Sequence, residues 1–277
     1  MQVDVVAFMA FRNEASYLAN ALTHLAENDI RFVLIDNGSD DGSRAIAERA
    51  EFKPYRKQLV DLPYEGQFNL TRLLALQHEL AAQTNAEWLL GCAPDEIMHS
   101  DRDGETLRAA ISRLADQGAN AINFDEFVFL PIEADYAPQA GSIQPMRHYY
   151  FFEPHTPRLM RAYQKRAGLS LLASGGHTLK GAEVLLAGEH LALRHYIFRD
   201  QDHAYAKYAE RRFAAADLAR GWHHNRARQD PRRFAFPLCG MLERMTDPGA
   251  RLLSKHRPWM RHYWEAESDA ISAARKS

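Results

Sequence analysis

Residues 11–43, FRNEASYLANALTHLAENDIRFVLIDNGSDDGS, decide the fold. Just upstream, Val3, Val5, Val6 and Phe8 make a short apolar run suited to a strand buried on both faces. Leu18, Leu22 and Leu25 then recur at helical spacing, so the following segment is an amphipathic helix that packs back on the sheet. Phe32, Val33, Leu34 and Ile35 make a second buried strand, and Gly38 and Gly42 supply the turn after it. Strand, helix and strand in that order form one crossover of a parallel sheet. Open parallel sheets bind ligands outside the carboxyl ends of their strands. Those ends carry Arg12, Asn13 and Glu14 after the first strand and Asp36, Asn37 and Gly38 after the second, so a polar ligand is expected there. The alternative for residues 37–43 is a solvated turn that caps a helix starting at Ser43.

The pattern continues outward. Residues 58–63 form a third strand, residues 67–85 a long helix with Leu70, Leu73, Leu74, Leu76 and Leu80, and Trp88 opens a fourth strand that runs into GCAPDEIM. A helix over 104–117 leads to NAINFDEFVFLP at 120–131. Its period of two places Ile122, Phe124, Glu126, Val128 and Leu130 on one face and Asn123, Asp125, Phe127 and Phe129 on the other. A carboxylate on an apolar face is pushed toward the pKa of a general base, which makes Glu126, with its neighbour Asp125, a candidate catalytic group. Exposure at a sheet edge is the other reading. Residues 131–185 lack clean periodicity and read as loops that build an acceptor pocket. There Tyr149, Tyr150, Phe151 and Phe152 are available for stacking, and Gly175-Gly176-His177 sets an imidazole beside backbone that can approach a ligand, so His177 is a third catalytic candidate.

With 277 residues and 46% hydrophobic content the chain can bury a full core, as one large α/β domain or one domain with a helical extension. No apolar run reaches the length of a bilayer-spanning helix, and the N-terminus enters the first strand with no basic, apolar leader. A cytoplasmic location is expected, with peripheral association at the inner face of a membrane compatible with it. Cys92 and Cys239 alone make neither a disulfide framework nor a zinc site. The near balance of 34 Lys and Arg against 36 Asp and Glu hides an asymmetry, since residues 194–277 hold 17 of the former and 10 of the latter. In that basic tail, Trp259, Tyr263 and Trp264 stand among Arg257, Arg261 and His262. They suit either contact with a phosphate-bearing acceptor, nucleic acid or anionic membrane, or packing on the main domain.

The order R-N-E after the first strand and D-N-G-S-D-D-G-S after the second resembles the opening of family-2 nucleotide-sugar glycosyltransferases. That resemblance implies a GT-A-like α/β fold, a mixed, largely parallel sheet flanked by helices. It also implies that Asp36 holds the nucleotide base, with Arg12, Asn13, Glu14 and Arg72 in the donor-binding set. GCAPDEIM lies where the family carries an Asp-x-Asp-Glu motif gripping a divalent metal that bridges the diphosphate. Here the first acid is Ala93, while Asp95 and Glu96 remain. A Mn²⁺ or Mg²⁺ site that is weak or nonessential follows, with Asp95 and His195 as its ligands; otherwise Asp95 caps the turn before the helix near Gly104.

LRHYIFRDQDHAYAKYAERRF, from Leu193, resembles the His-Tyr element and basic helix of related bacterial glycosyltransferases. His203, Lys207 and Arg211 fall at i, i+4 and i+8, and Lys207 and Arg211 on one helical face would neutralise a departing diphosphate, unless they pair with Asp217 or Glu210. The implied organisation is a catalytic domain over 1–212, with a nucleotide-binding half at 1–100 and an acceptor-side half at 101–212, followed by a basic helical extension at 213–277. The implied reaction is transfer from a nucleotide-diphosphate sugar to a hydroxyl of a glycan or lipid-linked acceptor, with inversion, in cell-surface or secreted glycan synthesis; nucleic acid is not an expected partner. Two rivals remain. A Rossmann-type methyltransferase needs a glycine-rich first turn that Phe11-Arg12-Asn13-Glu14 lacks, and a non-catalytic sugar-nucleotide or glycan-binding protein would explain Ala93 as a decayed metal motif.

Overall fold

The computed structural model describes residues 2–132, 146–223 and 235–265. Part of the stretch read as acceptor loops and much of the basic tail therefore lie outside the described residues. The first half runs β1 (Val5–Phe11), α1 (Ala15–Glu27), β2 (Arg31–Asp36), α2 (Ser43–Ala47), β3 (Arg56–Asp61), α3 (Leu70–Gln83) and β4 (Trp88–Cys92). These strands pair in parallel in the order β3-β2-β1-β4. Alternation along β1 sorts the two faces of the sheet. Val5, Ala7, Met9 and Phe11 pack with Leu18, Ala21, Leu22 and Leu25 of α1, whereas Val6 and Phe8 pack with Val33, Ile35 and, from α3, Leu73, Leu80 and Ala81. The result is a helix, sheet, helix sandwich whose central strands are apolar on both sides.

Residues 37–43 meet the starts of two helices: the Asp41 carboxylate accepts from the Ser43 N–H that opens α2 at 2.9 Å, and the same loop caps α1. Ser43 Oγ accepts from the Glu14 N–H at 2.8 Å, the Asp41 carboxylate from the Ala15 N–H at 3.0 Å and Ser39 Oγ from the Asn13 N–H at 3.2 Å. The loops after β1 and β2 are thereby stitched together, which fixes the carboxyl edge of the sheet where a ligand would sit. Gly38 makes this possible. Its φ is +69° and a Cβ would come within 3.1 Å of Tyr64 Cβ, so a side chain there meets both steric and backbone penalties.

The second half comprises β5 (Glu96–His99), α4 (Leu107–Asp116), β6 (Ala121–Leu130), β7 (His148–Phe152), β8 (Met160–Gln164), β9 (Leu191–His195), α5 (Gln201–Tyr205), a π turn over residues 206–210, α6 (Ala215–Ala219) and β10 (Glu243–Arg244). β8 extends the parallel sheet by pairing antiparallel with β4, and β6, β7 and β10 follow antiparallel in turn. β9 lies parallel to β6 and antiparallel to β5.

Three expectations change. Residues 131–185 are not loop throughout, because β7 and β8 lie within them, and Tyr149 to Phe152 are strand residues buried at 4% exposure or less rather than open stacking surfaces. Asp95 precedes a strand, not a helix; α4 is capped instead by Thr106, whose hydroxyl accepts from the Ala109 N–H. In the described part of the tail, helix is confined to α6 and a single turn at residues 239–241, and the aromatics pack on the main sheet. Trp259 exchanges backbone hydrogen bonds with Phe151 and Glu153, and Trp264 is 1% exposed.

Candidate active site

The carboxyl ends of β1, β2 and β4 open into a cavity of about 400 Å³. β4 ends at Cys92, and a turn whose Ala93 carbonyl accepts from the Glu96 N–H delivers Asp95 and Glu96 to the cavity floor. The antiparallel register of β5 with β9 sets Glu96 opposite His195, and the Tyr196 N–H donates to the Asp95 carbonyl at 2.8 Å. β6, parallel to β9, brings Glu126 to the other side of His195. A continuous chain of charged contacts results. Lys207 Nζ donates to Asp95 Oδ2 at 2.6 Å, His195 Nε2 lies 3.5 Å from the same oxygen, and His195 Nδ1 is 2.6 Å from Glu126 Oε1.

The electrostatics follow from those contacts. Burial disfavours the imidazolium of His195, but the bonds and charges of Asp95 and Glu126 prevail and lift its pKa to about 9. Burial would raise Glu126, yet the His195 bond outweighs it and holds the carboxyl at about 2. Asp95 is held well below the usual carboxylate range, its burial overcome by Lys207 and His195. Glu14 behaves oppositely: burial pushes its carboxyl up to about 7, Lys207 opposes that, and the Asp95 charge adds to it. Among the described residues no hydrogen bond reaches the Glu14 carboxylate.

The cavity gathers Arg12, Glu14, Asp95, Glu126, His177, His195, Lys207 and Arg211 from the residues picked out by sequence. Arg12 stacks its guanidinium 3.7 Å from the centre of the Tyr64 ring, and Asn37 lies beside them. Asp36 sits just beneath, 5% exposed, with Oδ1 accepting from the Ser39 N–H at 2.9 Å. Asn13 and Arg72 are not brought into the cavity lining. The Asn13 amide exchanges hydrogen bonds with Asp40, and Arg72 pairs with Glu65 at 2.6 Å on the outer side of α3.

Asp125 lines a second cavity, of about 330 Å³, which shares Glu126, Arg158 and Leu159 with the first. This opening lies where β6 passes from its pairing with β8 to its pairing with β7. Asp125 there bonds His190 Nδ1 and Lys255 Nζ, both at 2.7 Å.

Three readings of these charges change. Burial of Glu126 does not make it basic, because its face of β6 also meets His195. Lys207 pairs with Asp95, not Asp217, whose buried carboxylate accepts from the Leu70 and Thr71 N–H groups at the start of α3. Nor do Lys207 and Arg211 share one regular helical face, since the π turn intervenes and Arg211 is extended.

Sequence reasoning missed Arg161, whose guanidinium donates to Glu96 at 2.5 Å, and His190. Arg161 lies on a five-residue strand with no clear period, and His190 is an isolated residue between strands. Gly175 and Gly176 do line the cavity; at Gly175, φ is +66° and a Cβ would meet the Trp222 ring at 3.1 Å.

Residues 6–113, which build the parallel half of the sheet and the floor of this cavity, match the family model for glycosyl transferase family 2. That stretch, less than half of the chain, is similar to family-2 glycosyl transferases. Solved structures similar to it include S. aureus TarS 1–349 in complex with UDP-GlcNAc, at 15% identity over 59% of this chain and 46% of that chain, with a TM-score of 0.40. S. aureus TarS matches at 13% over 74% and 39%, with a TM-score of 0.44. The mannosyltransferase PcManGT from Pyrobaculum calidifontis in complex with GDP-Man and Mn²⁺ matches at 20% over 45% and 36%, with a TM-score of 0.35. The chain spans less than half the length of each of these. No curated protein sequence matches it.

A divalent metal fits the donor set poorly. Such an ion needs several free hard oxygens at short range, but Asp95 is taken by Lys207 and His195, Glu96 by Arg161 and the Ala93 N–H, and Glu126 by His195. Among the described residues no group of three or more His, Cys, Asp or Glu side chains is arranged to hold a metal. No helix of those residues is long and apolar enough to cross a membrane.

Proposed function

We propose that the enzyme transfers a sugar from a nucleoside-diphosphate sugar to an acceptor hydroxyl by single displacement with inversion. The observation that carries this reading is the Lys207–Asp95–His195–Glu126 chain, set at the strand ends of a family-2 domain in a cavity large enough for a donor. The base lies at the Arg12, Asn37 and Tyr64 end, above Asp36. The diphosphate lies toward Lys207 and Arg211, where cationic groups meet the charge that builds on the leaving nucleotide. Asp95 and Glu126 hold His195 and Lys207 in place rather than reacting themselves.

The acceptor enters through the second cavity, whose boundary with the first is Glu126 and Arg158. A general base is then better placed in the Asp125–His190 pair than at Glu126, since Asp125 fixes Nδ1 of the imidazole and leaves Nε2 to take the hydroxyl proton. A glycan or lipid-linked acceptor in cell-surface or secreted glycan synthesis suits this opening, which presents the polar groups of Asp125, His155, Arg158, His190 and Lys255. Calorimetric titration with UDP, GDP, dTDP and CDP tests the donor end. One of them binds, and Asp36→Ala and Arg12→Ala weaken it while leaving the far-ultraviolet dichroism unchanged. Unaltered affinity in both variants places the base elsewhere.

A further inference from the structure

The cavity is cationic before any metal is considered. Its lining includes five Lys or Arg side chains, Arg12, Arg158, Arg161, Lys207 and Arg211, against four carboxylates, Glu14, Asp95, Glu96 and Glu126. A site that must load a divalent ion ahead of a diphosphate needs surplus negative oxygen, whereas this one already has the sign that attracts the diphosphate. The position matters as much as the balance. Lys207 Nζ lies 2.6 Å from Asp95 Oδ2 and 3.2 Å from the Ile197 carbonyl, against the first of the two acids that remain after Ala93 at the end of β4. A divalent ion on that oxygen would stand about 2.0–2.6 Å from it, in space the ammonium now fills. The ammonium is also fixed: its side chain is 11% exposed and is delivered by the π turn of residues 206–210, which a simple continuation of α5 would not place in the same way.

Taking the donor assignment above as its starting point, we propose that Lys207 stands in for the divalent cation, so that this protein binds its nucleoside diphosphate as the free anion. Arg211, on the same wall, supplies the second charge. Lys207 has three N–H donors, and Asp95 and the Ile197 carbonyl account for two; the third is left for a phosphate oxygen. No covalent step changes: the bond from the anomeric carbon to the diphosphate breaks as before, and the leaving oxygen gathers its charge beside an ammonium instead of a metal.

The test is calorimetry on the full chain with UDP, GDP, dTDP, CDP and inorganic pyrophosphate, each in excess EDTA and again in excess Mn²⁺. The expected result is a dissociation constant that agrees within about twofold between the two conditions for the nucleotide that binds. In EDTA, Lys207→Met should weaken binding at least about tenfold, and Lys207→Arg should retain most of it. Because Lys207→Met leaves Asp95 buried without its cation, the double variant Asp95→Asn/Lys207→Met, which carries no orphaned charge, should show the same loss while keeping a normal melting transition. Binding that requires Mn²⁺, or EDTA-resistant binding that survives in the double variant, overturns the proposal and leaves the donor assignment standing. Failure of every probe in both conditions overturns the donor assignment and this inference with it.

Discussion

Replacing Glu14 by Gln should make the protein more stable at alkaline pH and less active. Glu14 lines the same cavity wall as the Lys207–Asp95 pair, whose charges act on it, and burial raises its carboxyl from 4.5 to about 7. At about 1.4 kcal/mol per unit, that shift represents roughly 3 kcal/mol of folding stability. The sign follows from proton binding. Below about pH 4.5 the carboxyl is protonated in both folded and unfolded chains and has no differential effect; between about 4.5 and about 7 the folded state holds the proton more tightly, so stability is lost as pH rises, and above about 7 the whole penalty is present. Glutamine keeps the shape and cannot ionise. Urea unfolding of wild type and Glu14→Gln at about pH 4.5 and about pH 8 should therefore give equal stabilities at the lower pH and a variant more stable by about 2–3 kcal/mol at the higher. An enzyme that retains such a penalty does so for its site, here to balance Lys207 when no donor is bound, so the variant's turnover should fall. A Glu14→Gln protein no more stable than wild type at about pH 8 would mean that Lys207 stabilises the Glu14 anion outright and that the burial argument fails.

Asp217→Ala removes a fully buried carboxylate that accepts from the Leu70 and Thr71 N–H groups and the Thr71 hydroxyl, so it should cost about 2–4 kcal/mol in denaturant unfolding through the start of α3. For the general base, His190→Gln and Asp125→Asn should lower transfer by about 10²-fold to 10⁴-fold with donor affinity nearly unchanged, and His177→Ala should leave most of it. Glu126→Gln should instead lower both turnover and nucleotide affinity, because it loosens His195 and through it Asp95; collapse of turnover alone in that variant would return the base to Glu126.

The parallel half was legible because its chemistry is local. Strands buried on both faces write themselves as unbroken apolar runs, and β1, β2 and α1 lie where Val5, Phe32 and Leu18 begin those runs. β5, β7 and β8 were not legible, because four or five residues hold too few periods to separate a strand from a loop. In the site, the positions of Asp95, His195 and Lys207 could be guessed from neighbouring residues, but their partners could not. Whether Glu126 is a base or half of an ion pair depends on His195, 69 residues away, and whether Asp95 faces a metal or an ammonium depends on Lys207, 112 residues away. Pairings at that separation are set by the register of β5, β6 and β9, which no local pattern records.

The most direct measurement of the central claim is release of nucleoside diphosphate from UDP-, GDP- and dTDP-sugars by the full chain in EDTA, with and without simple sugar acceptors. The account predicts release from one nucleotide class, accelerated by an acceptor and lost in Lys207→Met. Release that appears only when Mn²⁺ or Mg²⁺ is added, or that persists undiminished in Lys207→Met, would contradict it.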